Sequence, residues 1–283
     1  MHTAAAAPKF VYVLLQYKGL DHTRTCVKSL AGQLARGAAE VVVVDNFSSA
    51  ELARETRAAF EGMAGVHLLL RPENDGFARG NNAGYRHARE QLQASFIAVF
   101  NNDVEILQQD FPERVYRCHS ATDFSVLGPD IRVADGWRVI HQNPSLREFS
   151  EAEVRERLTK LRATPPRAGK TARAPGSHWK TWRRLRGLVL HGSALIFSPG
   201  FIADFEEPFD PRTFLYEEER ILHLRARARG HETWYDPSLV VWHRTRARDY
   251  KATAEYWAWR RDIKIRSMEV VLEVMAELRR STA

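Results

Sequence analysis

Four short apolar runs in the first 105 residues constrain the fold more than any other feature of the sequence. They cover residues 10–15, 41–44, 66–70 and 96–100 and consist mainly of Val, Ile, Leu and Phe. Runs of this length and composition are typical of buried strands, and helical patterns lie between them at short spacing. This alternation of strand and helix predicts a parallel sheet with right-handed crossovers.

Polar side chains directly follow three of these runs. They are Gln16 and Tyr17 after the first run, Asp45 after the second, and Asn101, Asn102 and Asp103 after the fourth. The carboxyl ends of parallel strands meet at one edge of a sheet, where open α/β sheets bind ligands. Asp103 offers the hard oxygen ligands that suit Mg2+ or Mn2+. A turn is the alternative for Asn-Asn-Asp, and a turn or helix cap is the alternative for Asp45.

A glycine-rich segment, residues 74–84, lies between the third and fourth runs. Gly76 and Gly80 permit close approach of the backbone, and Asn81 and Asn82 can begin the helix that follows. Free N–H groups at such a helix start favour a pyrophosphate. The segment matches neither the Walker pattern nor the dinucleotide pattern Gly-x-Gly-x-x-Gly.

Three motifs in this order resemble the inverting family 2 glycosyltransferases of GT-A fold, including bacterial polysaccharide rhamnosyltransferases. They are Asp45-Asn46-x-Ser48-Ser49, Asn74-x-Gly76-Phe77-Ala78-x-Gly80-Asn81-x-x-Gly84 and Asn101-Asn102-Asp103. The resemblance implies that Asp45 binds the nucleotide base or ribose and that Asp103 holds a divalent metal on the donor diphosphate. The implied nucleotide-sugar site also includes Gln16, Tyr17, Asn74, Gly76, Phe77, Asn81, Asn82, Asn101 and Asn102. The family usually has an aromatic residue and Asn after the first strand, where this chain has Tyr17-Lys18.

The middle of the chain is less regular. Residues 124–128 are predicted to form a strand that Pro129-Asp130 ends, and residues 151–161 are predicted to form a charged helix. Residues 164–177, within an irregular basic stretch at 135–187, are interpreted as a mobile loop. The Trp- and Arg-containing segment 178–184 is either a lid or acceptor groove, with Trp stacking on sugar, or a solvated basic loop.

A second block of similarity begins at Phe209-Asp210 and continues through Phe214-Leu215-Tyr216-Glu217-Glu218-Glu219 to Leu222, Arg225 and Gly230. In the resembled family, Glu-Asp stands at the head of a helix here, and its final carboxylate is the catalytic base. The alignment places Glu218-Glu219 on that pair, with Glu219 in the position of the usual Asp. The resemblance therefore implies Glu219 first, and Glu218 second, as the base. Helix capping is the alternative for Glu217 and Glu218, since the helix dipole favours acidic residues there.

A late strand, residues 233–243, ends in His243. A single histidine at a strand end is usually structural, but the resemblance implies that His243 completes the metal or diphosphate site. Residues 250–280 are predicted to form one or two helices carrying Trp, Ile, Val and basic residues. Such a helix can lie on an anionic bilayer, pair with another subunit as in a homodimer, or pack back on the domain.

The composition of the chain indicates which partners and which cellular location are expected. The formal charge of +7 favours polyanionic partners such as phosphorylated substrates or an acidic membrane surface. No apolar run reaches the roughly 18–20 residues of a membrane span, and the first residues do not resemble a signal peptide. Two cysteines are too few for a disulfide framework. These features predict a cytoplasmic protein that acts at the inner face of the plasma membrane.

The sequence thus predicts an α/β protein of GT-A fold, with a Rossmann-like, mostly parallel central sheet flanked by helices. Residues 8–249 form the predicted domain, with a flexible basic insertion at about 140–187, and residues 250–283 form an amphipathic helical extension. The predicted activity is transfer from a UDP- or dTDP-linked sugar to a glycan or lipid-linked acceptor in cell-surface polysaccharide assembly, with Mn2+ or Mg2+ and without nucleic acid. The alternatives are a nucleotidyltransferase, a non-catalytic sugar-nucleotide binding protein and a basic nucleic-acid-binding protein.

Overall fold

The computed structural model of the chain describes residues 8–135, 138–143, 148–164, 181–244 and 253–282, which form ten strands and nine helices. The strands are β1 (Phe10–Gln16), β2 (Glu40–Asp45), β3 (Val66–Leu70), β4 (Phe96–Asn101), β5 (Val104–Glu105), β6 (Val126–Asp135), β7 (Arg138–His141), β8 (Leu185–Arg186), β9 (Ala194–Phe197) and β10 (Thr233–His243). The helices are α1 (Leu20–Ser29), α2 (Ala31–Ala35), α3 (Ala50–Phe60), α4 (Gly76–Glu90), α5 (Phe111–Thr122), α6 (Glu151–Ala163), α7 (Pro199–Asp204), α8 (Glu218–Ala228) and α9 (Ala254–Thr282).

The described strands form a single sheet of order β3-β2-β1-β4-β9-β6-β10-β5, with β7 beside β6 and β8 beside β10. Strands β3, β2, β1 and β4 are parallel, as the alternating pattern predicts. Beyond them the sheet is mixed, because β9 runs antiparallel to both β4 and β6. These two reversals, together with the parallel pairing of β6 and β10, return β10 to the direction of β4. His243 therefore ends β10 at the same edge where Asn101 ends β4.

Strands β1, β2 and β4 are buried because helices cover both faces of the sheet, and buried parallel strands have continuous apolar sequences. Each face of the sheet has its own apolar cluster. A third cluster joins α6, α8 and α9 and includes Val154, Ile221, Leu224 and Val271. The helical layers leave the carboxyl ends of the strands as the edge where side chains of many elements meet.

The predicted end of a strand at Pro129 is wrong, since β6 continues to Asp135. Pro129 pairs with Asp236 of β10, and the next pair joins Asp130 to Val240, so β10 bulges there. Proline lacks the N–H that a regular ladder requires and is tolerated at such an irregularity. The proline therefore marks a bulge in the neighbouring strand and does not end β6.

The charged helix predicted at 151–161 is confirmed as α6, which begins with a capping box between Ser150 and Glu153. The loop predicted at 164–177 lies outside the described residues after Thr164, as do the first three residues of segment 178–184. Of that segment, Trp182 is 78% exposed, and Arg184 binds Asp236 with 2.7 Å between Nε and Oδ2.

The predicted C-terminal helical region is the single helix α9, and its apolar side packs on α6 and α8. Val271 and Val274 of α9 lie in one cluster with Val154 of α6 and Ile221 of α8. Of the three arrangements that the sequence leaves open, packing on the domain is the one observed. No helix in the described part of the chain is long and apolar enough to cross a membrane.

Candidate active site

Asp45 ends β2 as a buried carboxylate, 1% exposed. Burial raises its pKa, and donors of Ser48, Gln16 and Thr56 lie near enough to offset part of that shift. None of the described residues, however, reaches hydrogen-bond geometry with either carboxylate oxygen. The buried Gln16 donates from Nε2 to Thr56 Oγ1 at 2.6 Å, while its amide oxygen has no donor among the described residues. Buried acceptors without partners are uncommon and point to a polar ligand that donates to them.

Two aromatic side chains follow β1 and β2 at this edge. Tyr17 is 45% exposed and Phe47 is 41% exposed. Phe47 has a left-handed backbone (φ 51), which is uncommon for an aromatic residue. The two rings provide exposed apolar surface close to the buried carboxylate of Asp45, as a site for a planar ring requires.

The glycine-rich segment folds onto the rest of the protein. Asn46 Nδ2 donates to Asn74 Oδ1 (2.9 Å) and to the Gly76 carbonyl (3.0 Å), and Asn74 Oδ1 also accepts from Gly76 N. Phe77 N donates to the carbonyl of Phe214 at 2.7 Å. The expectation of free N–H groups at the start of α4 therefore fails for Gly76 and Phe77, because both N–H groups have protein partners.

Two of the predicted ligand-binding asparagines instead hold segments together. Asn82 is 1% exposed and bonds through both polar atoms to the backbone of Phe209. Asn102 Nδ2 donates to the Gly19 carbonyl (3.1 Å) and to Thr23 Oγ1 (2.9 Å), which fastens the end of β4 to α1. The structure thus assigns both amide groups to protein contacts that the motifs alone do not reveal.

Asn81 keeps a polar atom without a partner, and Asn101 contacts the loop before β9. Asn81 donates from Nδ2 to the Phe77 carbonyl, and its buried Oδ1 has no donor among the described residues. Asn101 binds the loop before β9 through its backbone, since its N–H donates to the Ser193 carbonyl at 2.9 Å. This bond places residues 191–193 beside the end of β4.

Asp103 and His243 meet at the edge of the sheet. Asp103 Oδ1 lies 3.1 Å from His243 Nε2. His243 Nδ1 lies 2.6 Å from Gln142 Oε1, and because an amide oxygen only accepts, Nδ1 donates this hydrogen bond. Nε2 is therefore the ring nitrogen that faces Asp103. Among the described residues no group of three His, Cys, Asp or Glu side chains converges on one point.

A second histidine lies beside this pair. The ring of His191 is 6.2 Å from that of His243 at an interplanar angle of 67°. The ring Nδ1 of His191 accepts from Ser193 N at 3.2 Å, and the backbone N–H of His191 donates to Asn143 Oδ1 at 2.8 Å. Burial, with the nearby His243, lowers the pKa of His191 to about 4, so the ring is neutral at pH 7.

The first of the three adjacent carboxylates is committed to ion pairs. Tyr216 and Glu217 both have left-handed backbones (φ 77 and 68), and α8 begins directly after them. Glu217 Oε2 binds Arg220 Nε at 2.8 Å, and its Oε1 lies 4.0 Å from Lys264 Nζ. Glu217 therefore has two cationic neighbours and ends the strained turn that leads into the helix.

The next two carboxylates differ in their surroundings. Glu218 is 3% exposed, and Glu219 is half-buried with its Oε2 3.4 Å from where a Cβ on Gly192 would lie. Burial and the adjacent carboxylates raise the pKa of Glu218 to about 8 and that of Glu219 to about 7. Gly192 directly follows His191, so Glu219 faces the loop that contacts His243. A proton acceptor and a candidate cation site thus lie on two sides of one short loop.

Sequence reasoning missed three residues of this region. Phe47 stands at the variable position of the Asp45 motif, His191 precedes a turn of small residues, and Gln142 lies in the irregular stretch. An aromatic residue within a strand-end motif and a histidine before a strand are usable signals. Gln142 carries none, because only the pairing of β7 with β6 brings it to His243.

The sequence model described as "Glycosyl transferase family 2" matches residues 17–173, more than half of the chain. The chain belongs to glycosyl transferase family 2. A curated family relative, "Low-salt glycan biosynthesis hexosyltransferase Agl10" of Haloferax volcanii, is 32% identical over 124 residues. That match covers 44% of this chain and only 37% of the relative's length.

Solved structures resemble this family 2 chain along nearly its whole length. GalNAc-T7, crystallised with UDP, GalNAc and Mn2+, superposes with a TM-score of 0.64 at 13% identity, covering 95% of this chain and 48% of that one. Mannosyltransferase PcManGT from Pyrobaculum calidifontis, in complex with GDP-Man and Mn2+, gives 0.54 at 14% identity, covering 97% and 70%. These likenesses show that the fold is GT-A.

Proposed function

We propose that this chain is an inverting, metal-dependent glycosyltransferase that moves a sugar from a nucleoside-diphosphate donor to a hydroxyl of a glycan or lipid-linked acceptor. One observation carries the proposal. The Asp103–His243 pair and the Glu219 carboxylate lie on either side of the His191-Gly192 loop at the carboxyl edge of the sheet. A group that activates a nucleophile therefore lies close to a group that can hold a leaving diphosphate.

Asp103 and His243 suit a divalent cation such as Mn2+ or Mg2+. Two ligands that share an octahedral cation at about 2.1 Å are separated by about 3 Å, and the observed separation is 3.1 Å. Ions of this kind are commonly held by one or two protein groups and complete their coordination with substrate phosphates and water. When bound, the cation would act as a Lewis acid that offsets the charge on the donor diphosphate.

Glu219 is the proposed general base. Its carboxylate takes the proton of the acceptor hydroxyl while the acceptor oxygen forms a bond to the anomeric carbon. The bond from that carbon to the diphosphate oxygen breaks on the opposite face, and its electron pair leaves with the diphosphate. A pKa of about 7 suits a base that works near neutral pH. Glu218 is the second candidate, and its deeper burial makes it less accessible to an acceptor.

The nucleotide is proposed to bind along the ends of β1, β2 and β4. Asp45 and Gln16 have buried acceptor atoms for a ribose hydroxyl or a base N–H, and Tyr17 has an exposed ring for the base. Asn81, Asn101 and Asp103 continue the site toward the diphosphate, and Asn74, Gly76, Phe77, Asn82 and Asn102 maintain its shape. The proposed nucleoside of the donor is uridine or deoxythymidine.

The proposed acceptor and setting are supported by the family resemblance and by the hexosyltransferase relative, whose name refers to glycan biosynthesis. We place the reaction in cell-surface polysaccharide assembly at the cytoplasmic face of the plasma membrane. Co-sedimentation with vesicles and the mass of the protein in solution would test membrane binding and a homodimer.

The test is a thermal-shift and hydrolysis panel of UDP-, dTDP- and GDP-linked sugars, each with Mn2+, Mg2+ or EDTA. We expect one donor to raise the melting temperature, and to be hydrolysed slowly, only when the cation is present. Asp103→Ala should abolish both effects, because it removes a cation ligand.

Asp123→Asn is the matched control, since this carboxylate is fully exposed at the end of α5 and asparagine tolerates its left-handed backbone. It should behave as the wild type. Donor stabilisation that persists in EDTA or in Asp103→Ala would contradict the proposed metal site. Stabilisation by none of the donors would contradict the proposed function.

A further inference from the structure

We propose that Phe214 and the first two turns of α9 form a carbohydrate-binding surface, the aromatic platform, on which a sugar ring of the acceptor stacks. The platform consists of the side chains of Phe214, Tyr256 and Trp259. The inference rests on the proposed function, which it extends by naming the acceptor as a glycan and placing it in the site.

The three rings of the platform adjoin one another. Trp259 is 43% exposed, and its ring lies 6.4 Å from that of Phe214 and 6.0 Å from that of Tyr256. Most large apolar side chains of the chain are buried, so an exposed indole within an aromatic group is a candidate contact surface. Sugar rings present C–H groups on one face, and these pack against the electron-rich face of an aromatic ring.

The platform is joined to the turn that carries the proposed base. The Arg260 guanidinium lies 5.2 Å from the centre of the Tyr216 ring, Lys264 Nζ is 4.0 Å from Glu217 Oε1, and Ser267 Oγ donates to the Leu215 carbonyl at 2.8 Å. Residues 260, 264 and 267 have the spacing of one helix face, and Trp259 lies at its edge. Glu219 lies two residues after Glu217, in the first turn of α8.

The platform is also joined to the donor side. The Phe214 carbonyl accepts from Phe77 N at the start of α4, within the glycine-rich motif. Its ring contacts Trp259. A sugar on the platform would therefore lie between the donor segment and the base-bearing helix, where the hydroxyl that attacks the donor must be held.

Charge favours a glycan over a bilayer as the occupant. Helix α9 contains six basic and five acidic residues, whereas helices that bind anionic membranes are strongly basic on their polar face. Its apolar residues beyond the platform, including Met268, Val271 and Val274, are buried against α6 and α8. The exposed aromatic surface is thus confined to the end of the helix beside the active site.

The experiment uses the full chain labelled with 5-fluorotryptophan, which gives one fluorine NMR signal for each of its seven tryptophans. Trp259→Phe assigns the platform signal, and Trp234→Phe assigns the signal of the internal control Trp234, which lies at the opposite end of β10 from His243. The probes are maltotetraose, cellotetraose, chitotetraose and mannotetraose. We expect at least one of them to shift the Trp259 signal saturably and to leave the Trp234 signal unmoved.

Two further variants separate stacking from folding. Trp259→Ala should weaken tetrasaccharide binding at least tenfold, Trp259→Phe should weaken it less, and the control variant Leu107→Ala, at another exposed apolar side chain, should have no effect. The affinity of Trp259→Ala for the nucleotide sugar with Mn2+ should stay within twofold of that of the wild type, because Trp259 is not among the residues proposed to contact the donor.

Other results would overturn the inference. If a nucleotide sugar binds but no tetrasaccharide shifts the Trp259 signal, the inference of a carbohydrate-binding platform is wrong and the proposed function is unaffected. If only vesicles containing phosphatidylglycerol shift Trp259, the surface binds lipid. If a tetrasaccharide binds at Trp259 and no nucleotide sugar binds, the platform is confirmed as a carbohydrate-binding surface and the proposed function is contradicted.

Discussion

The two halves of the molecule arrange their functional groups in different ways. In the half proposed to bind the donor (the donor half, residues 8–105), Asp45 ends a parallel strand, Asp103 lies two residues beyond another, and Gln16 is the register partner of Asp45. In the half proposed to bind the acceptor (the acceptor half, residues 181–282), Glu219 follows a turn with two left-handed residues, and His191 and His243 come from separate segments. Regular pairing suffices to align the first set, whereas long-range contacts must hold the second.

This difference has an energetic side. Non-glycine residues in the left-handed region cost on the order of 1 kcal/mol each, so Tyr216 and Glu217 persist only because surrounding contacts fix them. Those contacts come from α9 and from the Phe214–Phe77 hydrogen bond. The acceptor half thus depends on its neighbours in a way that the donor half does not.

The largest effect is expected for Glu219→Gln, which removes the proposed base and leaves the donor half intact. Transfer should fall about 10³-fold while nucleotide-sugar stabilisation is retained. In the wild type the active form is the carboxylate, whose pKa is raised to about 7, so kcat should rise between pH 6 and pH 8. Rates of transfer report on the proposed base, and thermal shifts with the nucleotide sugar report on donor binding.

Glu217→Gln and Glu218→Gln are the matched controls for the base. Glu217 is engaged with Arg220, so its replacement should reduce transfer less than tenfold. A full loss of transfer in Glu218→Gln together with normal turnover in Glu219→Gln would move the base to Glu218. Loss of donor binding in Glu219→Gln would contradict the prediction that the base can be removed without affecting the donor half.

The next effect is expected where the halves touch. Gly76 has φ +81, and a Cβ there would lie 2.4 Å from the Phe214 carbonyl. Gly76→Ala should lower the free energy of unfolding by about 3 kcal/mol, through backbone strain and a clash with main-chain atoms. Urea unfolding measures this change.

Gly62→Ala isolates the contact from the backbone effect. Gly62 has φ +76, but a Cβ there would meet no described atom within 4 Å, so only about 1 kcal/mol should be lost. Equal losses in the two variants would show that the contact between the halves contributes nothing to stability.

The smallest effect is expected at Gln142, which supports the His243 ring from the middle of the chain. Gln142→Leu removes the acceptor for Nδ1–H and should weaken Mn2+ binding about 10-fold to 100-fold in the presence of UDP. Gln142→Glu keeps an acceptor and should bind Mn2+ nearly as the wild type does. Electron paramagnetic resonance of free Mn2+ gives both affinities, and identical affinities for all three proteins would exclude a role for Gln142.

The sequence predicts the positions of strand ends better than it predicts contacts between distant segments, for physical reasons. Asp45 and His243 end strands and Asp103 lies two residues beyond one, and strand ends can be recognised from apolar runs. Asn82 and Asn102 bind protein backbone, which no local pattern reveals, because their partners lie 127 and 83 residues away. The prediction that Pro129 ends a strand fails for the same reason, since the bulge that accommodates this proline belongs to β10.

The contact between Gly76 and Phe214 also limits how chains of this kind can be recombined. A chimera that joins the donor half of one protein to the acceptor half of another inherits only one side of this contact. It can fold as intended only if its donor half brings glycine at position 76 and its acceptor half brings the carbonyl of residue 214 to the same place. Exchange of donor specificity is therefore better sought in side chains such as Tyr17 and Phe47 than by swapping whole halves.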